Sequence, residues 1–149
     1  MIHLIRRNLL LSLISQEGAE RSNNWYQLIE EKGKAAKSVP PFELDPALCA
    51  EYCGRLIRWR LWAKEMFAQN PMLTVEYEEH LCRNFSPTTR KVFDFIGAIP
   101  WIVRPGLIKQ QATPASKQVS NFTDLEKHFK DTPYAEFFET ADDILNAHG

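Results

Sequence analysis

Hydrophobic positions gather first at the very start of the chain. Ile2, Leu4 and Ile5 form a short apolar run, interrupted by His3, that stops at Arg6-Arg7. A run of this length and character predicts a buried parallel strand. Asn8 then precedes the segment Leu9 to Ser15, rich in leucine and carrying Ser12 and Ser15. An N-cap residue ahead of an apolar segment predicts a helix, here running to about Arg21 and weakened by Gly18. Asn23-Asn24 marks a break before Trp25 and Tyr26. The order strand, cationic turn, helix start makes a place where a phosphate can sit. Helix-start N–H groups are unpaired, the helix dipole is positive there, and arginine supplies a fork of donors. His3, on the apolar strand, reads as a packed, hydrogen-bonded histidine rather than a base.

Further along, residues 30 to 44 are charged and contain Pro40-Pro41, which predicts an exposed connection. Asp45-Pro46 predicts a helix start, with the cap followed by proline at the first helical position. That helix should reach about Ala68, with Leu48, Tyr52, Leu56, Trp59 and Met66 or Phe67 as its buried stripe. Arg55, Arg58, Arg60 and Lys64 take much of the remaining surface. Aromatics at helical spacing predict core and a solvated basic face rather than a nucleic-acid surface. Asn70-Pro71 ends the helix.

Met72 to Tyr77 is the second predicted strand, with Val75 and Tyr77 alternating with Thr74 and Glu76. Ser86-Pro87 predicts the start of a helix with Val92, Phe93 and Ile96 as core and Gly97 near its end. Residues 100 to 120 hold Pro100, Pro105, Gly106 and Pro114 with little periodicity, so they read as a long irregular segment. Thr123 to Glu126 has the form of a capping box, opening a short helix with Leu125 and Phe129 inside. Phe137, Phe138 and Ile144 should dock the last turn.

Composition narrows the picture. The chain has 149 residues and 44% hydrophobic content, enough for one domain with a real core. The formal net charge of -1 excludes a global field toward nucleic acid or an acidic membrane, so any anion site must be local. Cys49, Cys53 and Cys82 are an odd number without framework spacing, which favours a reducing, cytoplasmic setting. No apolar run approaches a membrane span. Arg6-Arg7 followed by Leu9 to Ile14 has some features of an export signal. Its apolar run is short, apolar residues precede the arginines, and no A-x-A-like cleavage site follows. Cys49, Cys53, His80 and Cys82 fit no common zinc spacing and read better as core thiols, so no metal is expected.

The order of these elements resembles the C-terminal half of a sulfotransferase that uses 3'-phosphoadenosine-5'-phosphosulfate. The likeness is strongest to bacterial enzymes that sulfate Nod factors, trehalose and related carbohydrates. The opening Ile2 to Ser15 looks like that family's 3'-phosphate motif, in which a strand ends in Arg and a Ser follows eight positions later, here Arg7 and Ser15. Leu73 to Glu78 is similar to a family strand ending in Tyr-Glu. Arg90 to Gly97 looks like the helix that ends in a Phe-Leu-Gly type of sequence. Leu107-Ile-Lys-Gln110, then Asn121-Phe and Thr132-Pro-Tyr, follow in the family's order.

The resemblance implies a helix-rich α/β fold of the P-loop type with a small parallel sheet, present over residues 1–149 as one partial domain. It implies Arg7 and Ser15 as contacts to the donor's 3'-phosphate, with Arg6 and Ser12 as their neighbours and rivals, and Lys109 closing over the nucleotide. It implies a carbohydrate hydroxyl as acceptor, with Trp25, Tyr26 or Trp101 as aromatic candidates beside it. One feature departs from the pattern. The Gly/Ser/Thr-rich loop that cradles the 5'-phosphosulfate, and the base that usually lies near it, have no counterpart in this sequence. The expectation is therefore a partial sulfotransferase, partnered by an N-terminal half or a second copy, with the catalytic residues unassigned. A non-catalytic nucleotide-binding or scaffold remnant of the same fold is the alternative.

Overall fold

The computed structural model describes residues 1–28, 39–108 and 113–142. Of the connection predicted over residues 30 to 44, positions 30–38 lie outside the described residues, as do Lys109 and Ile144; in its described part Phe42 and Leu44 are buried rather than exposed. The chain divides into two compact units. One comprises Met1–Arg7 and Arg58–Pro105, the other Asn8–Ile57 and Gly106–Gly149. The architecture is helix-rich α/β with a small parallel sheet, as the sequence predicts.

The first unit is built on strands β1 (Ile2–Ile5) and β3 (Leu73–Glu76), which pair in parallel. Their register sets Ile2 beside Leu73, Leu4 beside Val75 and Ile5 beside Glu76. A π-helical segment, Tyr77–Arg83, follows β3 directly, and helix α3 (Phe85–Ile96) packs against both. Gly97, at φ 69°, takes the left-handed cap that ends α3, a conformation glycine adopts without the Cβ clash of other residues. The sheet is less buried than its composition predicts. Val75 is 4% exposed, yet its in-register neighbour Leu4 is 58% exposed. Helix α3 lies against β3, and along β1 Ile2 and Leu4 stand exposed while His3 and Ile5 are half-buried. The expected core face of α3 also differs, because Ile96 stands exposed and the buried residue of the helix is Thr88. Helix α3 begins one residue before Ser86-Pro87, with Asn84 as an N-cap that makes no side-chain capping bond.

The second unit holds the core. Helix α1 (Leu9–Ser22) buries Leu9, Leu10, Leu11, Leu13 and Ile14. Around it gather Leu44, Cys49, Val119, Leu125, Phe129, Phe137 and Phe138. Asn8 caps α1 as predicted, accepting from the Leu11 N–H at 3.0 Å, and Asn23 ends it in the left-handed region at φ 51°. A two-residue pair, β2 (Gln27–Leu28) with β4 (Leu107–Ile108), runs antiparallel. Three short helices follow: α4 (Ala115–Gln118), α5 (Phe122–Phe129) and α6 (Ala135–Glu139). The segment read as irregular thus contains β4, α4 and a parallel bridge between Phe42 and Val119. Thr123 to Glu126 forms no capping box, since α5 starts at Phe122 with Asn121 before it. Asn121 instead spends its side chain on Leu44, accepting from its N–H at 3.1 Å and donating to its carbonyl at 2.9 Å.

Helix α2 (Pro46–Met66) contributes residues to both units. Asp45 accepts the Ala47 N–H at 3.1 Å, the expected cap. The predicted stripe holds at Tyr52, which is buried, and Leu56, which is half-buried. It fails at Leu48 and Trp59, which are exposed, with Trp59 at 61%, and of the Met66 or Phe67 pair Phe67 is the half-buried one. Spacing fixes which side chains share a face. Burial further requires something packed against that face.

Candidate functional site

The parallel register brings the end of β1 alongside the end of β3, so the residues just beyond, Arg6-Arg7 and Tyr77-Glu78, come together. Glu78 lies at the centre and is 7% exposed. Its Oε2 accepts the backbone N–H of Arg7 at 2.7 Å, and its Oε1 stands 3.5 Å from Nε of Arg6. The Arg6 guanidinium also sits over the Tyr77 ring, 5.0 Å from its centroid, and Arg60 donates to the Arg6 carbonyl. Burial pushes the Tyr77 phenol above its ordinary value, and neighbouring Cys82 adds to that, while Arg6 pulls the other way.

Arg7 is the outward arginine. Its side chain is 64% exposed, and its Nη2 donates to Glu76 Oε2 at 3.0 Å. The two arginines therefore part as adjacent side chains should, one inward and one outward. Glu76 in turn donates its backbone N–H to Nδ1 of His80 at 2.7 Å, which leaves the neutral-ring proton on Nε2. The two ion pairs differ in kind. The Arg7–Glu76 pair is open to water and worth under about 1 kcal/mol, so a better anion can take the guanidinium. Removing one partner of the shielded Arg6–Glu78 pair leaves an uncompensated charge, at a cost of about 3 kcal/mol or more.

In the second unit, Ser12 and Ser15 stand on α1. Ser12 Oγ and Tyr52 Oη share a hydrogen bond at 3.0 Å, so Ser12 is engaged within its own unit. Ser15 is half-buried and makes no side-chain hydrogen bond among the described residues. Asn8 is 1% exposed and donates from Nδ2 to the Phe137 carbonyl at 2.7 Å and to Thr140 Oγ1 at 3.1 Å. The helix start beyond the arginine turn is therefore held by a fully used side chain. A surface groove lies elsewhere in this unit, lined by Arg21, Val39, Phe42 and Glu43, with the Arg21 guanidinium 4.7 Å from the Phe42 ring centroid.

The remaining candidates sort as follows. Trp25, Tyr26 and Trp101 are all exposed. Cys49 and Cys53 are core thiols as expected, and burial, then Cys53 and Asp45, push Cys49 up to about 12. Cys82 departs from the expectation by standing exposed. His3 is packed, but its Nδ1 has no hydrogen-bond partner among the described residues. Among those residues no set of His, Cys, Asp and Glu gathers as a metal site, and no helix is long and apolar enough to cross a membrane. The sequence quoted Tyr77-Glu78 as a motif without a role. Its carboxylate proves to be the partner of both arginines, and the signal was the motif's place at the end of a strand parallel to β1.

The comparison with known proteins bears on this arrangement. Over 145 residues, 96% of its length, the chain is 34% identical to Nodulation protein H of Rhizobium meliloti. It is 33% identical over 145 residues to the same protein of strain 1021. Similarity to Nodulation protein H runs through nearly the whole chain. Nodulation protein H of Rhizobium tropici is 27% identical over 141 residues. The chain spans 57% of the first two relatives and 55% of the third, little more than half of their length. No family model matches the chain, and no solved structure matches it.

Proposed function

We propose that this chain is a sulfotransferase portion that binds the 3'-phosphate end of 3'-phosphoadenosine-5'-phosphosulfate, for transfer to a carbohydrate hydroxyl. The observation that carries the proposal is Arg7: an exposed guanidinium at the exit of a parallel strand, one residue before a capped helix. The sequence resemblance and the similarity to Nodulation protein H support it. Arg7 presents two parallel N–H donors to a phosphate, a pairing that lysine cannot reproduce. Glu76 holds that fork extended until a dianion replaces it. Arg6, tied to Glu78 and Tyr77, contributes charge from behind rather than a free donor fork. The assignments of Ser15, Ser12 and Lys109 rest on spacing and resemblance alone.

In the reaction, an acceptor hydroxyl oxygen bonds to the donor sulfur as the sulfur–oxygen bond to the 5'-phosphate breaks. The hydroxyl proton goes to a base, and adenosine 3',5'-bisphosphate leaves. Catalysis of such a step is mostly positioning and stabilisation of charge on the departing oxygen. This chain supplies the positioning of the 3' end. The phosphosulfate loop and the base belong to an N-terminal portion or a partner chain, and no residue here is assigned to them.

The test is calorimetric titration with adenosine 3',5'-bisphosphate, followed by an assay of sulfate transfer to carbohydrate acceptors. Binding that Arg7→Ala clearly weakens supports the reading. Binding without transfer favours the second reading, a nucleotide-binding remnant, which the lack of a Gly-rich loop in the sequence makes worth carrying. No binding, or binding indifferent to Arg7, rejects both.

A further inference from the structure

We infer that Glu78 is a positioning residue for phosphate recognition, acting through the backbone of Arg7; this rests on the proposed donor-binding reading. Three observations meet at its carboxylate. One oxygen accepts the Arg7 N–H at 2.7 Å, which sets the direction in which the chain leaves β1. The other faces Arg6 at 3.5 Å and draws that guanidinium inward over Tyr77. The residue is nearly buried, so its charge is poorly screened and its rotamer is confined. With Arg6 turned in, Arg7 is the side chain left outside, 64% exposed and extended along Glu76.

The arrangement divides labour between two glutamates two positions apart. Glu76 is exposed enough to yield its partner to a ligand. Glu78 is not: it is nearly buried and makes its bond to main chain. A carboxylate at 78 thus fixes which arginine reads the ligand, without touching it. Glutamine has the same shape but lacks the charge that holds Arg6 inward, and an N–H···O bond to a charged acceptor exceeds one to a neutral acceptor by roughly a factor of ten in equilibrium constant.

The 149-residue chain and its Glu78→Gln and Glu78→Asp variants are titrated by calorimetry with adenosine 3',5'-bisphosphate and with adenosine 5'-monophosphate. The parent prefers the bisphosphate. Glu78→Gln reduces that preference about tenfold and leaves the monophosphate affinity unchanged, and Glu78→Asp, which keeps the charge, loses less. In an Arg7→Ala background the glutamine change has no further effect, because the residue it positions is gone. A merely structural role moves both nucleotides equally and persists without Arg7, and that result overturns the inference, as does an unchanged preference. Should Glu78→Gln fail to fold, Glu78→Asp carries the same comparison. A parent without 3'-phosphate preference, indifferent to Arg7→Ala, rejects the underlying reading before Glu78 is altered, so the two failures are distinct.

Discussion

The two units of this chain are made in opposite ways. In the unit of Asn8–Ile57 and Gly106–Gly149, one leucine-rich helix buries five side chains against aromatics from the far end of the sequence. In the unit of Met1–Arg7 and Arg58–Pro105, the buried residues are Val75, Glu78 and Thr88, while Leu4, Trp59, Ile99, Trp101 and Ile102 stand in solvent. One unit is organised by apolar burial, which is non-directional and tolerant of detail. The other is organised by a carboxylate and two guanidiniums, which demand particular angles and distances. The difference teaches where to look for chemistry. Directional contacts cost more to assemble and specify geometry more tightly, and they surround the one arginine proposed to meet a ligand.

The comparison can be broken most easily at its ends. Leu10→Ala, in the buried stripe of α1, should lower stability by about 3 kcal/mol in urea denaturation, through lost transfer energy and the cavity left behind. Leu4→Ala, on the open side of β1, should cost under about 1 kcal/mol. Equal losses would show that the strand is covered in solution and erase the contrast.

The thiols divide along the same line. Alkylation should label Cys82 well before Cys49 and Cys53, read by mass spectrometry of peptides. Cys49 also carries a pH dependence whose sign is fixed. Its folded value is raised to about 12, above that of the unfolded thiol near 9, so in that window the folded state keeps a proton that the unfolded state has lost. Stability is therefore fully retained below about pH 9 and falls as pH rises from there toward 12. Cys49→Ala should flatten that decline in alkaline denaturation curves.

Arg7→Ala should weaken adenosine 3',5'-bisphosphate binding by roughly 2 kcal/mol, the scale of a charge-assisted bidentate contact. The same change should leave the melting temperature nearly unmoved, since an exposed pair is all it removes from the fold. A large loss of stability would make Arg7 a structural residue. Smallest is Glu76→Gln. Freed from its carboxylate, Arg7 should bind the nucleotide about threefold tighter, roughly 0.6 kcal/mol. Weaker binding would mean that Glu76 orients the guanidinium rather than competing for it.

Local signals predicted the elements well, and tertiary consequences less so. The strand at Ile2–Ile5, the helix capped by Asn8 and the helix begun by Asp45-Pro46 are all written in residues adjacent to one another. Leu48 and Trp59 defeated the helical pattern because periodicity names a face without naming its cover. Thr123 to Glu126 had the right letters for a capping box, but Asn121 was already committed to Leu44, 77 positions away. The role of Glu78 was invisible for a similar reason. Its bond to Arg7 spans 71 positions and exists only because β1 and β3 run parallel in one register. The π-helical turn that presents it had no counterpart among the local signals.

Asn8 has a consequence for how the molecule is made. Its buried amide needs the carbonyl of Phe137, 129 positions later, and a buried donor without its acceptor is costly. On a ribosome α1 emerges before its partner, and its lower rim has none until almost all of that span has been translated. The start of α1 is therefore locked only long after it has been made. During synthesis, the turn beside it passes through a long period of provisional order. Slowing translation should prolong that period, and losing the segment around Phe137 should make it permanent.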